Sequence, residues 1–480
     1  MTRVISPYRN SIGVCTHFES RELGWKIENL LPVLLELGIG HVRQEIKWEW
    51  VEKEKGVYVI PAISRQWMDA VREAGLGVIL ILDYGNPLYD HPLDAEGFAA
   101  YAGFMAKELR DYPTVAYEIW NEPTNFYFLK TYGGTWSGKG ECPWLDRFAE
   151  LIDAASAAIK EADPAATVIA NPGEPQFFHM AEKHSQHLAR LDGVSHHPYS
   201  VRFPPETLPL GGGDISVEDG AVCADDDHSF LSLFRRTIEH GEKHLGRRIQ
   251  LFATEFGFPS YNAHPAPGWF SGYTETAQAC YLARAVVLCL VAGVQSPCIY
   301  DLMNDGCMEQ DAEHNFGLIR NEEQGYERKP AFFAIQRLIA HLGTAWEMVN
   351  EPPAWIDVPS EDFQKGLGWQ KVLPDPFVKI DGPLLYWFQT PDRCLAILWN
   401  AGRINGEETP PRGRLIWEHA PAVSGISIED VVTGEQLAAR LEQPPSSGQY
   451  SQRIILRDLP FRSSPLIVTF EIAGSTLSQD

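Results

Sequence analysis

The sequence lacks a net positive charge, and it has no Cys-x-x-Cys pair and no long apolar run. Each of these absences excludes a class of protein. Its 480 residues contain 40 Lys and Arg against 64 Asp and Glu, which gives a formal net charge of −24. A surface of that charge opposes binding to nucleic acid and to anionic membranes. We therefore expect neither as a partner.

No stretch approaches the ~20 apolar residues of a membrane span. Residues 1–10 also lack the continuous apolar segment of a secretion signal. Several of the 8 cysteines lie inside apolar runs, namely Cys15, Cys280, Cys289, Cys298 and Cys394. This usage is typical of a reducing compartment. We expect a cytoplasmic protein with free thiols, no metal and no cofactor.

The composition, 44% hydrophobic and 11% aromatic, can supply one large core and a smaller one. Short apolar segments alternate with helical patterns as far as residue 343, as in a parallel sheet covered by helices. Eight such units favour a (β/α)8 barrel over an open doubly wound sheet. The predicted strands are 12–18, 41–46, 77–85, 115–122, 167–172, 193–200, 250–258 and 296–303. The predicted helices are 27–37, 66–74, 98–109, 145–162, 230–245, 276–292 and 332–342.

The pattern changes after residue 343. Short strand candidates, several of them alternating apolar with polar, are separated by Pro, Gly and Ser clusters, which predicts an antiparallel β-sandwich. We therefore divide the chain into a barrel, 1–343, and a sandwich, 344–480. The sandwich is expected to pack against the barrel, and a carbohydrate-binding role is the alternative. Its strand candidates are 384–389, 394–399, 426–432, 453–456 and 466–472.

Polar residues close most of the predicted barrel strands, and barrel enzymes place their active sites on the loops after the strands. Any one of them could be a satisfied structural group, but their convergence on one end of the barrel favours a site. They are His17, Arg43, Asp83, Asn121, Glu122, His196, His197, Glu255, Tyr300 and Asp301.

Two of these residues are glutamates at the ends of apolar strand-like runs, Glu122 and Glu255. Glycoside hydrolysis needs such a pair, one carboxyl group to protonate the leaving oxygen and one to attack the anomeric carbon. The Asn-Glu-Pro that contains Glu122 recurs at 350–352, but no buried strand precedes that copy. We assign the second copy no catalytic role.

Five segments in barrel order resemble clan A glycoside hydrolases, and most closely family 39 and its relatives. These segments are 42–58, 82–86, 120–123, 196–199 and 254–257. The resemblance covers the whole barrel, whereas the C-terminal part is similar only in general type. It implies a retaining double displacement with Glu122 as general acid/base and Glu255 as nucleophile.

For that mechanism, burial and the charge of Glu255 should raise the pKa of Glu122. Glu255 should stay ionised beside Arg43 and Tyr199, the partners that the resemblance offers. A separation of about 5 to 5.5 Å between the two carboxyl groups gives retention, whereas about 6.5 to 9.5 Å admits a water molecule and gives inversion.

The remaining expectations concern substrate contacts. Asn121 should contact the sugar 2-hydroxyl, and adjacent strand residues such as His196 and His197 point to opposite faces and cannot readily share a metal. Long aromatic loops after the fourth and seventh strands favour a walled pocket and exo action. Their aromatic residues are Phe126, Tyr127, Phe128, Tyr132, Trp136, Tyr261, Trp269, Phe270 and Tyr273. The expected substrate-binding residues are Arg43, Asn121, His197, Tyr199, Tyr300, Asp83, His17 and Trp269.

One departure from the relatives follows the eighth strand, where Leu302 stands in place of an expected aromatic residue. The floor of the subsite would then fall to Tyr300 or to a loop aromatic. Three functions stay open: a retaining exo-glycosidase on β-xylosides, β-glucosides or α-L-arabinofuranosides, an endo-acting polysaccharide hydrolase, and a non-catalytic sugar-binding barrel. The intact carboxylate pair argues against the third.

Overall fold

Eight parallel strands close into a barrel in the computed structural model, which describes residues 11–123, 142–201, 203–208, 229–262, 270, 272–342, 346–359, 380, 382–404, 409–442 and 452–473. The order around the barrel is β1-β8-β7-β6-β5-β4-β3-β2, so each strand neighbours the next in sequence and the last closes on the first. The predicted barrel is confirmed. The strands are β1 Gly13–Cys15, β2 His41–Lys47, β3 Gly77–Asp83, β4 Thr114–Ile119, β5 Val168–Ala170, β6 Gly193–His196, β7 Gln250–Phe256 and β8 Pro297–Ile299.

Helices cover the outside of the barrel. Three of them begin at capping side chains, since Asp94, Ser229 and Thr274 each accept a hydrogen bond from a first-turn backbone N–H, which satisfies an otherwise unpaired donor. The helices are Ile27–Leu37, Trp48–Val51, Ala62–Glu73, Ala95–Glu108, Pro143–Ala162, Glu174–Lys183, Phe230–Leu245, Glu275–Val291 and Pro330–Leu342. Shorter elements are the hairpin Glu52–Glu54 and Val57–Tyr58 and the 3-10 turns Arg21–Leu23, Ser185–Leu188, Glu313–Asn315 and Glu322–Gln324.

The barrel interior changes from apolar to polar along the strands. An apolar layer consists of Cys15, Ile79, Ala116, Ile169, Phe252 and Cys298. Because strand side chains alternate, the inward residue two positions further along is next on the same face. That residue is Glu118 after Ala116 and Thr254 after Phe252, and both are fully buried. The polar layer therefore lies at the carboxyl end of the barrel, where the candidate residues converge.

The C-terminal strands form two antiparallel sheets, as predicted for a β-sandwich. With β9 to β17 numbered in chain order, the five-stranded sheet runs β9-β11-β12-β17-β14 and the four-stranded sheet runs β10-β13-β16-β15. The strands β9, β10, β13 and β15 were not predicted. The strands are β9 Glu347–Val349, β10 Ala354–Asp357, β11 Gly382–Gln389, β12 Arg393–Ala401, β13 Arg412–Ala420, β14 Val423–Asp430, β15 Arg440–Glu442, β16 Gln452–Pro460 and β17 Leu466–Ile472.

The five-stranded sheet is apolar on both faces because it packs between the barrel and the second sheet. In β11, Trp387 belongs to the sandwich core while its neighbour Phe388 belongs to the barrel core. A buried ion pair also joins the two parts, since Arg284 donates to Glu206 at 2.8 and 2.5 Å and Trp399 Nε1 donates to the same carboxylate at 2.7 Å. The proposed domain limits, 1–343 and 344–480, stay a prediction.

Within the described residues, no helix is both long enough and apolar enough to span a membrane. The cysteines of the same residues carry free thiols.

Candidate active site

Arg43 organises the polar end of the barrel. It extends inward from β2 and bonds three other side chains: Nε donates to Glu118 Oε2 at 2.6 Å, Nη1 to Glu255 Oε1 at 2.6 Å and Nη2 to Asn121 Oδ1 at 2.8 Å. Glu118 lies on β4 and Glu255 on β7, so these bonds cross the barrel interior. Burial, the largest single influence, lowers the pKa of Arg43, but Glu118 and Glu255 outweigh it and hold that pKa well above its usual range.

Glu118 holds the Arg43 side chain in position. Its carboxylate is fully buried and also accepts hydrogen bonds from Ser195 Oγ at 2.5 Å and Thr254 Oγ1 at 2.7 Å. A buried carboxylate requires such compensation, because an unpaired charge in this environment is very costly. Four strands, β2, β4, β6 and β7, are therefore tied together directly beneath the predicted site.

The turn after β4 presents Asn121 and Glu122 to the barrel mouth. Trp120 and Glu122 both adopt a positive φ, 67° and 41° respectively, a conformation that is costly for residues with a side chain. Trp120 is fully buried, so packing of its indole holds the turn in place. The turn thus allows the side chains of Asn121 and Glu122 to contact residues of other strands.

Glu122 and Glu255 face each other across His197. His197 Nδ1 lies 2.5 Å from Glu122 Oε1 and 3.6 Å from Glu255 Oε2. One carboxylate oxygen of Glu122, one of Glu255 and one His197 nitrogen all lie within 4.8 Å of one another. Burial lowers the pKa of His197 most strongly, but attraction to Glu255 and Glu122 more than compensates, and the net pKa is raised. The two carboxylates thus stabilise the protonated form of His197.

Both oxygens of Glu255 have strong donors. Arg43 Nη1 donates to Oε1, and the Tyr199 hydroxyl donates to Oε2 at 2.9 Å. Each oxygen of Glu255 is therefore held by a donor from a different part of the barrel.

Asn121 is held by two side chains. Its Oδ1 accepts from Arg43, and its Nδ2 donates to the Tyr84 hydroxyl at 3.2 Å. The acceptor of the amide therefore faces the protein, and the amide nitrogen is the group left for an additional contact.

Aromatic rings pack together next to Tyr199, the partner of Glu255. Phe316 lies within 5.1 to 6.1 Å, ring centre to ring centre, of Phe270, Tyr300 and Tyr199. Leu302 is fully buried and belongs to the general core, and Phe316 is buried as well. Tyr300 and Phe270 are partly exposed, so these two rings are the ones available to a ligand.

The remaining residues of the predicted site are Asp83, His17 and Trp269. Asp83 is fully buried beneath the site, and burial followed by repulsion from Glu45 raises its pKa well above the usual range. We therefore leave Asp83 out of the proposed sugar contacts. His17 lies beyond Tyr300, with the two rings 5.8 Å apart. Trp269 falls outside the described residues, as do Phe126, Tyr127, Phe128, Tyr132 and Trp136 of the fourth-strand loop.

His196 and His197 separate as adjacent strand residues should. His196 Nε2 bonds Thr237 Oγ1 at 2.9 Å among the outer helices, whereas His197 faces the barrel mouth. The group formed by Glu122, His197 and Glu255 could supply metal ligands, but Arg43 already provides a cation there.

Sequence reasoning missed several residues of the site. Glu118 was not singled out, although a glutamate inside an apolar strand is itself a signal, because a buried charge needs a partner. Thr254, Ser195 and Phe316 gave no comparable signal. Glu313 was also missed; it is an exposed residue of the loop after β8, where partial desolvation and repulsion from Glu255 and Asp305 raise its pKa.

Comparisons with known proteins place the fold. No family model matches the sequence, and no curated protein matches it significantly. Among solved structures, a family 39 glycoside hydrolase from Bacteroides cellulosilyticus WH2 is similar with a TM-score of 0.66 and 19% identity, over 98% of this chain and 82% of that one. A glucosidase from Croceicoccus marinus is similar with a TM-score of 0.56 and 12% identity, over 97% and 96% of the two chains.

A GH30 endoxylanase from Clostridium papyrosolvens C71 is also similar, with a TM-score of 0.54 and 9% identity over 97% of each chain. At these identities the likeness establishes the fold alone. The resemblance to clan A and family 39 is thereby confirmed at the level of architecture, including the C-terminal sandwich. The function of the site therefore depends on the chemistry of its own residues.

Proposed function

We propose that this chain is a retaining glycoside hydrolase in which Glu122 is the general acid/base and Glu255 the nucleophile. The observation that carries the proposal is the carboxylate pair at the ends of β4 and β7, with one oxygen of each within 4.8 Å. Retaining enzymes hold their carboxyl groups about 5 to 5.5 Å apart, and inverting enzymes about 6.5 to 9.5 Å. The close approach supports direct attack by Glu255 over attack by an intervening water molecule.

In the first step, a Glu255 oxygen forms a bond to the anomeric carbon while the bond to the leaving oxygen breaks and Glu122 gives that oxygen its proton. In the second step, Glu122 takes a proton from water, the water oxygen attacks the anomeric carbon, and the ester bond to Glu255 breaks. Each step inverts the anomeric centre, so two steps retain its configuration.

The surrounding residues support these roles. Arg43 and Tyr199, bonded to separate oxygens of Glu255, stabilise the carboxylate before attack and after release. His197 holds the Glu122 carboxyl group through a 2.5 Å contact and positions it for proton transfer, which demands hydrogen-bond reach. Asn121 would offer its Nδ2 to the sugar 2-hydroxyl, a bond that strengthens in the transition state.

For the substrate, we propose exo action on short β-xylosides, β-glucosides or α-L-arabinofuranosides. The partly exposed rings of Tyr300 and Phe270 support a sugar subsite, because aromatic rings pack well against the apolar faces of sugars. An endo-acting hydrolase is the alternative from the sequence. Product sizes from a polysaccharide digest distinguish the two, since an endo enzyme releases oligosaccharides and an exo enzyme releases single sugars.

A panel of aryl glycosides tests the proposal: β-xyloside, β-glucoside, β-galactoside and α-L-arabinofuranoside with the native protein and with Glu255→Ala. We expect turnover of one member, loss in Glu255→Ala, and rescue by azide as a glycosyl azide of opposite anomeric configuration. Silence of the native protein on this panel and on polysaccharides would refute hydrolysis and leave the sugar-binding barrel.

A further inference from the structure

A second group of ligand-type side chains lies near Tyr300, whose ring centre is 5.8 Å from that of His17. It consists of His17, which follows β1, and Asp301 and Asp305, which follow β8. One nitrogen of His17 and one carboxylate oxygen of each aspartate all lie within 4.8 Å of one another. Residues from two distant parts of the sequence thus come together at the carboxyl end of the barrel.

Asp301 is the unusual member of this group. Its side chain is fully buried, and within the described part of the chain neither of its carboxylate oxygens has a hydrogen-bond partner. The shielded Nε2 of His17 likewise lacks one among these residues. Buried polar atoms are almost always paired, because leaving them unpaired costs free energy. Unpaired buried atoms of two residues thus belong to a group whose ligand-type atoms lie within 4.8 Å of one another.

The spacing fits an ion better than a direct contact. His17 Nε2 lies 3.8 Å from Asp301 Oδ2, which is too long for a hydrogen bond. Two ligands of one tetrahedral ion, each about 2.0 to 2.2 Å from it, lie roughly 3.3 to 3.6 Å apart. A shift of a few tenths of an ångström would therefore bring both atoms into one coordination sphere.

Lys329 attracts Asp301 only from a distance. Its charge acts on the Asp301 carboxyl group, but its Nζ donates to Asn304 Oδ1 at 3.3 Å and to the Asn315 carbonyl at 3.1 Å, and no ion pair joins it to Asp301 among the described residues. Trp25 Nε1 donates to Asp305 Oδ1 at 2.7 Å. Such an outer hydrogen bond orients a ligating carboxylate and leaves its second oxygen for a metal.

We propose that His17, Asp301 and Asp305 bind one divalent transition-metal ion, with Zn²⁺ as the first candidate. One imidazole and two carboxylates suit zinc, whereas Ca²⁺ and Mg²⁺ take oxygen ligands. Three protein ligands leave one position for water or a substrate oxygen. The proposal departs from the expectation of no metal, which was based on the cysteines and on His196 with His197. It does not depend on the proposed hydrolase activity.

The test measures metal binding directly, on tag-free protein stripped with a chelator and titrated calorimetrically with ZnCl₂ and, in a second arm, with CaCl₂. We expect saturable uptake of about one Zn²⁺ per chain, much weaker uptake of Ca²⁺, and a rise in melting temperature with Zn²⁺. Asp305→Asn and Asp301→Asn should each weaken Zn²⁺ binding by at least about tenfold.

Two control variants locate the ion. Glu309→Gln removes an exposed acidic group from the same loop and should bind Zn²⁺ like the native protein. Glu122→Gln should keep the stoichiometry, because Glu122 lies in the other cluster. If Asp301→Asn fails to fold, the partly exposed positions 17 and 305 carry the test, through His17→Gln and Asp305→Asn.

Three results would overturn the proposal: no saturable Zn²⁺ binding by the native protein, equal binding by Asp305→Asn, or loss of binding in Glu122→Gln with retention in Asp305→Asn. The last result would assign the ion to Glu122, His197 and Glu255.

Discussion

Replacing Glu118 by Gln should impair catalysis without touching a substrate contact. Glu118 is fully buried and binds Arg43 Nε at 2.6 Å, while Arg43 in turn binds Glu255 and Asn121. The variant keeps the shape of the side chain but removes one of two carboxylates that neutralise Arg43. We expect the guanidinium group to shift towards Glu255 and to misplace the nucleophile.

The size of the effect follows from the contacts. Breaking a buried ion pair by removing one partner costs about 3 to 5 kcal/mol, and because Glu255 still pairs with Arg43 we expect the lower end, about 3 kcal/mol. With an unfolding entropy of about 2.1 cal/mol/K per residue, a chain of 480 residues should lose roughly 3 °C in melting temperature. Misplacement of reacting groups by about 1 Å can cost about 100-fold in rate, so kcat should fall by about 10- to 100-fold with KM little changed.

Glu206→Gln is the matched control. Glu206 is also buried and paired with an arginine, Arg284, but at the junction with the sandwich. It should lose a similar amount of stability and keep kcat within about twofold. Melting curves and initial rates on the substrate found by the aryl glycoside panel measure both. A native kcat in Glu118→Gln, or equal losses of kcat in the two variants, would refute the positioning role.

Three further predictions concern the pocket. Glu122→Gln should abolish turnover but retain ligand binding, measured by calorimetry; loss of binding as well would contradict its role as proton donor. Tyr199→Phe removes one hydrogen bond to the charged Glu255, worth about 1.5 to 3 kcal/mol, so kcat/KM should fall by about 10- to 100-fold, and an unchanged value would contradict that contact's importance. The raised pKa of His197 stabilises the fold fully below about pH 6.5, its unfolded value, and the stabilisation disappears as pH rises through the folded pKa. Denaturant midpoints measure the difference in stability between the native protein and His197→Asn. This difference should shrink with rising pH, and a difference that grows would contradict the stabilising role of protonated His197.

The sequence predicted the barrel because parallel strands buried on both sides read as apolar runs. All eight strands fall inside the predicted segments, apart from one residue at the end of β2 and one at the start of β4. The strands of the sandwich were harder to predict from the sequence. The strand Arg412–Ala420 follows a Pro-Pro pair, typical of a loop, and its register with β16 is irregular. Local patterns favour a loop there, and only pairing with neighbouring strands makes it β-structure.

The candidate site likewise contains residues that the sequence could predict and residues that it could not. Asn121, Glu122, His197, Tyr199 and Glu255 lie at or just after strand ends, and Arg43 extends inward from within β2. Barrel topology therefore brings these six residues together. Phe316 and Glu313, by contrast, belong to the long loop after β8, whose course depends on packing that no local pattern encodes. Asp83 differs from these residues, since it ends β3 but its side chain is fully buried.

The most direct test of the central claim is covalent trapping of the nucleophile. The native protein would be incubated with an activated 2-deoxy-2-fluoro glycoside of the sugar that the panel identifies, then digested and mapped by mass spectrometry. We predict one added fluoroglycosyl group, on the peptide that contains Glu255 and at that carboxyl group. A label on another residue, or full inactivation without any covalent adduct, would contradict the double displacement through Glu255.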